Sequence, residues 1–256
     1  MDLGLTGMSV LVTGSSRGIG LATARSFGLE GARVMLSGRT PATLESARAS
    51  LEREGIAVAS VVVDLATTEG TSLAVARTIE TFGGIDVLVN NAGGSLGSGA
   101  FDTVSEAHWS EVLALNLDAA VRCSRHAVAW MKTHGGGTIV HVGSVYGREY
   151  GPSAAYVAAK GALVALAKEM AVDLAKYGIR VNSVAPGSIL FEGGSWARRR
   201  DANPEVIADM VKRELPWGRF GTPEEVANAL VFLCSPRASW VAGACLPIDG
   251  AQGRAL

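Results

Sequence analysis

The chain has 256 residues, with 23 Lys or Arg against 24 Asp or Glu, a net charge of −1, 48% hydrophobic residues and 32 glycines. That apolar fraction fills a core and excludes a disordered chain, and the balanced charge excludes a dedicated nucleic-acid binder, which carries a basic excess. No apolar run approaches the roughly 18 residues that span a bilayer, so no membrane partner is expected.

Asp2 stands where a secretory leader carries Lys or Arg, and Val10–Val12 is too short for its apolar region, so the expected compartment is cytoplasmic. Cys123, Cys234 and Cys245 are scattered, which argues against a disulfide framework or a zinc site. His108, His126, His134 and His141 lack metal-ligand spacing, and no metal is expected. Glycine at 32 of 256 is well above the average of about 7%, so backbone geometry, in turns or against a ligand, has to explain it.

In chain order the pattern predicts a strand at Met8–Val12, a helix at Gly18–Glu30, a strand at Arg33–Leu36 and a helix at Pro41–Glu54. A strand at Ile56–Val63, a helix at Thr67–Phe82 and a strand at Ile85–Val89 follow. Thr103–Lys132 reads as one long or broken helix, then come a strand at Thr138–Val142, a helix at Ser153–Tyr177 and a strand at Ile179–Val184. Ser188–Asn203 reads as irregular; a helix near Pro223–Leu233 and a short strand near Ala244–Pro247 close the chain. Continuous Val/Ile/Leu runs mark strands buried on both faces, and their alternation with helices predicts an α/β fold. The expectation is a single Rossmann-fold domain over residues 1–256, a doubly wound parallel sheet of about seven strands with helices on both faces. Residues 188–213 are expected to form a substrate loop or lid. Its Arg198-Arg199-Arg200 is either a solvated face or a cationic group meeting an anionic substrate or the cofactor phosphates.

Thr13-Gly14-Ser15-Ser16-Arg17-Gly18-Ile19-Gly20 follows the first strand and opens the first helix. Gly14 suits the tight turn, Gly18 a close approach of backbone to a pyrophosphate, and Gly20 close helix–strand packing, with the helix N-terminus facing the phosphates. A merely structural turn and a methyl-donor Rossmann site stay open at this point. The second strand ends Leu36-Ser37-Gly38-Arg39, with no acid for a ribose 2′-hydroxyl. Arg39 and Arg17 suit a 2′-phosphate, so NADP(H) is favoured, with NAD(H) possible.

Tyr156 and Lys160, four apart, share one face of a helix, and Ser144 follows the strand Thr138–Val142 at its carboxyl end, where open α/β sheets bind ligands. With the glycine loop and Asn90-Asn91-Ala92-Gly93, these motifs resemble the short-chain dehydrogenase/reductase family over essentially the whole chain. A looser similarity runs to its 3-oxoacyl-carrier-protein reductases.

The resemblance implies an NADP(H)-dependent oxidoreductase acting on a ketone or secondary alcohol. It makes Tyr156 the general acid/base, its pKa moved toward working pH by cationic Lys160 and the oxidised nicotinamide. Lys160 bonds the nicotinamide ribose, Ser144 polarises the substrate oxygen, and Asn116 holds a water that links Lys160 to solvent. The cofactor set implied is Gly14, Ser16, Arg17, Gly18, Ile19, Gly20, Arg39, Asp64, Leu65, Asn91, Ala92, Gly93, Tyr156, Lys160, Pro186, Gly187 and Ile189. Asp64 reaches the adenine by its side chain and Leu65 by its backbone.

The substrate set is Ser144, Tyr146, Tyr150, Tyr156, Leu190 and Trp196, near Gly94, Ser95, Leu96 and Phe191. Its apolar and aromatic character favours a substrate with an apolar body. Two departures stand out: the Ser144–Tyr156 interval is one residue shorter than in many members, and Phe191 stands where many place a hydroxyl residue. A 3-oxoacyl thioester is the alternative substrate. The helix ends Lys132-Thr133-His134 and Lys176-Tyr177 lack the arginines that would dock an acidic carrier. A nucleotide-binding regulator without turnover is the non-enzyme alternative. A homo-oligomer, tetramer or dimer, is implied through the long helices at Thr103–Lys132 and Ser153–Tyr177.

Overall fold

The computed structural model describes residues 1–97 and 99–255. Seven strands form one sheet, β1 (Ser9–Val12), β2 (Arg33–Gly38), β3 (Val58–Val62), β4 (Val87–Asn90), β5 (Gly137–Val142), β6 (Ile179–Pro186) and β7 (Cys245–Ile248). They are ordered β3-β2-β1-β4-β5-β6-β7 and every pairing is parallel. The winding reverses between β1 and β4, and that switch opens a crevice at the carboxyl ends of the strands.

Alternation along each strand builds two cores. Val10, Val12, Val34, Leu36, Val87 and Val89 face α1 (Gly18–Leu29), α2 (Pro41–Arg53) and α9 (Pro223–Cys234). Leu11, Met35, Leu88, Ile139 and Val181 face α3 (Thr68–Phe82), α5 (Ala119–Met131) and α6 (Ala154–Leu174). The chain is therefore a doubly wound Rossmann-type domain with helices on both faces. No helix among the described residues is long and apolar enough to cross a membrane.

The stretch read as one long or broken helix is broken, into α4 (Glu106–Leu113), a π turn at Ala114–Asp118, and α5. One stretch departs from the sequence expectation: the segment read as irregular contains the helix α7 (Ser195–Ala202), and a second helix, α8 (Pro204–Glu214), follows it directly. The α7 sequence SWARRRDA has almost no apolar period to betray it. It is held by a third, small core in which Ile207, Met210 and Leu215 pack with Trp196 and Phe220.

Candidate active site

Beyond β1 the chain stays tied to β4, Thr13 donating its amide to the Val89 carbonyl (3.0 Å). The Thr13 hydroxyl accepts from the amides of Asn91 and Ala92 (2.8 and 3.0 Å), and the Asn91 side chain donates back to the carbonyls of Thr13 and Gly14. Small residues make this possible: a Cβ on Gly20 would lie 2.5 Å from Asn91 Nδ2 and 2.6 Å from the Gly14 carbonyl. Gly14 and Gly18 have φ of +63° and +56°, which L side chains adopt only with strain. The N-terminus of α1 has no side-chain cap and no acid in its first turn, leaving its amides as donors for an anion.

A cleft of about 530 Å³ runs over this cradle. One end is walled by Gly38, Arg39, Thr40 and Thr43; the middle by Gly14, Ser16, Arg17, Ile19, Gly20, Asn91, Ala92 and Gly93. At the other end stand Ser144, Tyr156, Lys160, Pro186, Gly187, Ile189, Phe191 and Trp196. A larger cavity of about 680 Å³, around Gly135–Gly137 and Trp240, lies away from these groups, so volume alone does not locate the chemistry.

The catalytic candidates come from two elements. Ser144 leaves β5 in extended conformation, and its Oγ accepts from the Tyr146 amide (3.2 Å) while hydrogen-bonding the Tyr156 phenol. The loop after Ser144 presses on α6 because Gly147 has no side chain; a Cβ there would lie 2.6 Å from the Lys160 carbonyl. Lys160 is only 3% exposed, donates from Nζ to the Val142 carbonyl (2.8 Å) and lies 5.5 Å from the centre of the Tyr156 ring.

Burial pulls the Lys160 ammonium down to about 8. The Tyr156 phenol is raised, chiefly by burial, with the Ser144 bond pulling the other way and Tyr146 adding to the rise. The expected lowering by Lys160 is absent: before nicotinamide contributes, desolvation of the phenolate wins. Behind them His141 is fully buried against Asn90 (3.2 Å), and burial with the Lys160 charge pulls it down to about 4.

A glycine cradle, an uncapped helix N-terminus and a Ser–Tyr–Lys group thus share one cleft. The family model described as enoyl-(acyl carrier protein) reductase matches residues 14–251. The chain is 38% identical to 2-(S)-hydroxypropyl-CoM dehydrogenase 3 of Xanthobacter autotrophicus over 243 residues, 94% of each chain. It is 35% identical to gluconate 5-dehydrogenase of Gluconobacter oxydans over 247 residues, 96% of this chain and 94% of the relative. The structure of L-sorbose reductase from Gluconobacter frateurii, complexed with NADPH and L-sorbose, superposes with a TM-score of 0.94 at 36% identity, covering 100% of both chains.

The chain belongs to the short-chain dehydrogenase/reductase family. It is an oxidoreductase acting on the CH–OH groups of secondary alcohols and on ketones.

Within this short-chain dehydrogenase/reductase, several sequence-expected residues lie off the cleft wall. Asp64 is exposed and its carboxylate accepts from the Ala66 amide (3.0 Å), so the side chain closes a turn, whereas Leu65 lines the cleft. Leu190 is held by its amide to the Gly221 carbonyl and falls outside the wall. Tyr150 is 76% exposed and accepts from Arg254 (3.0 Å). Tyr146 is near enough to act electrostatically on Tyr156.

Asn116 sits in the π turn, donates to the carbonyls of Gly94 and Val112 (2.8 and 2.9 Å) and accepts from the Gly94 amide (2.9 Å). Both of its N–H donors are used, so its side chain clamps the loop beside Lys160 and retains only acceptor capacity for a water. A Cβ on Gly93 would lie 2.5 Å from Asn116 Oδ1 and 3.1 Å from Lys160 Nζ, which explains that glycine.

Sequence reasoning did not single out Thr40, Thr43, Leu115, Gly143 or Ser195, all of which line the cleft. The hydroxyls next to Arg39 were the readable signal. Phe191 lies directly on the glycine loop, where a Cβ on Gly18 would lie 2.7 Å from its ring. Arg17 donates to the Gly193 carbonyl (3.0 Å), tying the turn before α7 to the loop, and Arg198 of α7 donates to the same carbonyl (2.5 Å).

Proposed function

We propose that this enzyme transfers a hydride between NADP(H) and a ketone or secondary alcohol, with Tyr156 as general acid/base. The observation that carries the reading is the meeting of Ser144, Tyr156 and Lys160 at one end of a cleft whose other end is the glycine cradle and Arg39. The residues present suit the cofactor: free amides at the start of α1 and Ser16 for the pyrophosphate, and Arg39 with Thr40 and Thr43 for a 2′-phosphate. Asn91, Ala92, Gly93, Pro186, Gly187 and Ile189 would flank the nicotinamide, and Lys160 would reach its ribose. NADPH in the related sorbose reductase supports the same choice.

When bound, the reduced cofactor supplies the hydride. Ser144 holds the substrate carbonyl oxygen, and Tyr156 donates its phenolic proton to that oxygen as negative charge develops there. Burial keeps the phenol protonated in the resting site, which suits a proton donor. The tyrosinate left behind is favoured by the Ser144 bond, and Lys160 beside it stays an ammonium below about pH 8. Trp196, Phe191 and Leu115 supply an apolar wall for the substrate body. Residues 188–213 act as the lid, anchored to the glycine loop through Arg17.

Assembly through α4–α5 and α6 into a tetramer or dimer is part of the reading. It is supported by an exposed apolar stripe on α6, Ala158, Ala165 and Val172, spaced seven apart. Free thiols at Cys123, Cys234 and Cys245 fit a reducing compartment such as the cytoplasm.

The test is a rate panel with NADPH and NADH over small ketones, cyclic ketones and 3-oxoacyl thioesters. Turnover of at least one ketone, with NADPH at least about tenfold better than NADH in kcat/KM, is expected from a guanidinium–phosphate contact. No turnover in either direction with either cofactor overturns the reading.

A further inference from the structure

The three arginines of α7 have different partners. Arg198 donates to the Gly193 carbonyl, and Arg200 pairs with Asp201 (3.2 Å). Arg199 has no carboxylate partner among the described residues; its guanidinium lies over the Trp196 ring, 5.1 Å from the ring centre. Trp196 is itself a fixed platform, packed on Phe220 (5.3 Å) over the small core beneath α8, and it lines the cleft with Ser144 and Tyr156.

Arg199 is exposed and stands beside the cleft rather than in its wall, reaching it through the Trp196 ring, and its charge is also felt at Tyr146. Two acids also act on Tyr146: Glu214, which outweighs Arg199 there and pairs with Arg213 (2.7 Å), and Glu149, which accepts from the Arg254 amide (2.7 Å). A guanidinium held on an aromatic face keeps its N–H fork free for a planar carboxylate, and part of its ordering is already done.

We propose that Arg199 anchors an anionic group of the substrate, making the substrate an oxo acid or hydroxy acid whose carboxylate lies at the end remote from the reacting carbon. This rests on the hydride-transfer reading and adds the substrate class to it. The aromatic wall then carries the short carbon chain between carbonyl and carboxylate, while Arg199 fixes which end enters first.

The test uses levulinate, its homologues one to three methylenes longer, and the methyl ester of each, on the full chain with NADP+ by calorimetry and with NADPH by rate. At least one acid is expected to bind the wild type more tightly than its ester. In Arg199→Gln that acid should bind about tenfold more weakly, with the loss in KM and kcat within about twofold, while ester kinetics stay unchanged. Arg200→Gln, whose side chain already has Asp201, should change neither.

Equal losses on acid and ester, no loss on the acid, or no acid binding to the wild type overturns the proposal. Failure of the underlying reading looks different: acid binding that depends on Arg199, with no turnover of acid or ester, supports the subsite while sinking hydride transfer.

Discussion

The floor of the cleft and its lid are held by different physics. The floor is backbone packed on backbone at the ends of parallel strands, Thr13 on Val89 and Gly147 against the Lys160 carbonyl, with the Asn91 side chain bonded to Gly14. Its titratable groups are buried or half-buried, and desolvation moves their pKa values. The proposed lid, from Ser188 to Arg213, is surface helix on a core of a few side chains, and guanidiniums hold its turn at Gly193. The proposed function thus puts the chemistry where geometry is over-determined, and selection of the substrate where contacts are individually weak and easily exchanged.

That contrast predicts large effects in the floor. Tyr156→Phe should lower turnover by about a thousandfold or more, with cofactor affinity within about twofold of wild type by fluorescence titration. Retained turnover would remove Tyr156 from its role.

Next in size is an acid weakness centred on His141. Its pKa falls from 6.5 to about 4 on folding, so between those values the unfolded chain binds more protons. Stability is therefore present above about pH 6.5 and lost as pH falls toward 4, by up to about 3 kcal/mol from this group. Urea titrations of wild type and His141→Gln at both pH values should show a shallower loss in the variant. Parallel losses would show that His141 does not carry the effect.

At the rim the expected effects shrink. Arg39→Ala should weaken NADPH by about ten- to a hundredfold, or about 1.5–3 kcal/mol, and leave NADH nearly unchanged. Equal losses on both cofactors would move the 2′-phosphate away from Arg39.

Smallest is the lid tie. Arg17→Ala removes one hydrogen bond to Gly193, about 0.5–1.5 kcal/mol, and should speed amide exchange over residues 191–198 by roughly two- to tenfold. Unchanged exchange there would mean the lid does not lean on the glycine loop.

Legibility in the sequence followed range of interaction. The glycine loop and the Tyr156–Lys160 pair are local patterns, set by φ freedom and by four-residue helical spacing, and both were readable. The π turn at Asn116 was not, because it depends on the clamp between its amide and Gly94, distant in sequence. Helix α7 was not, because its stability comes from Trp196 meeting Phe220 rather than from its own pattern. The partners of the Asp64 and Tyr150 side chains were not legible for a related reason: they bond the Ala66 amide and Arg254.

The sequence alone determined the alternation of strands and helices, the position of the glycine loop and the shared face of Tyr156 and Lys160 on α6, since each rests on backbone geometry a few residues long. Only the tertiary structure decided the direction of the Tyr156 shift, the partners that separate Arg199 from its neighbours, and the seating of Phe191 on Gly18. Burial and long-range contact are properties of the packed chain, and residues far apart in sequence acquire them together.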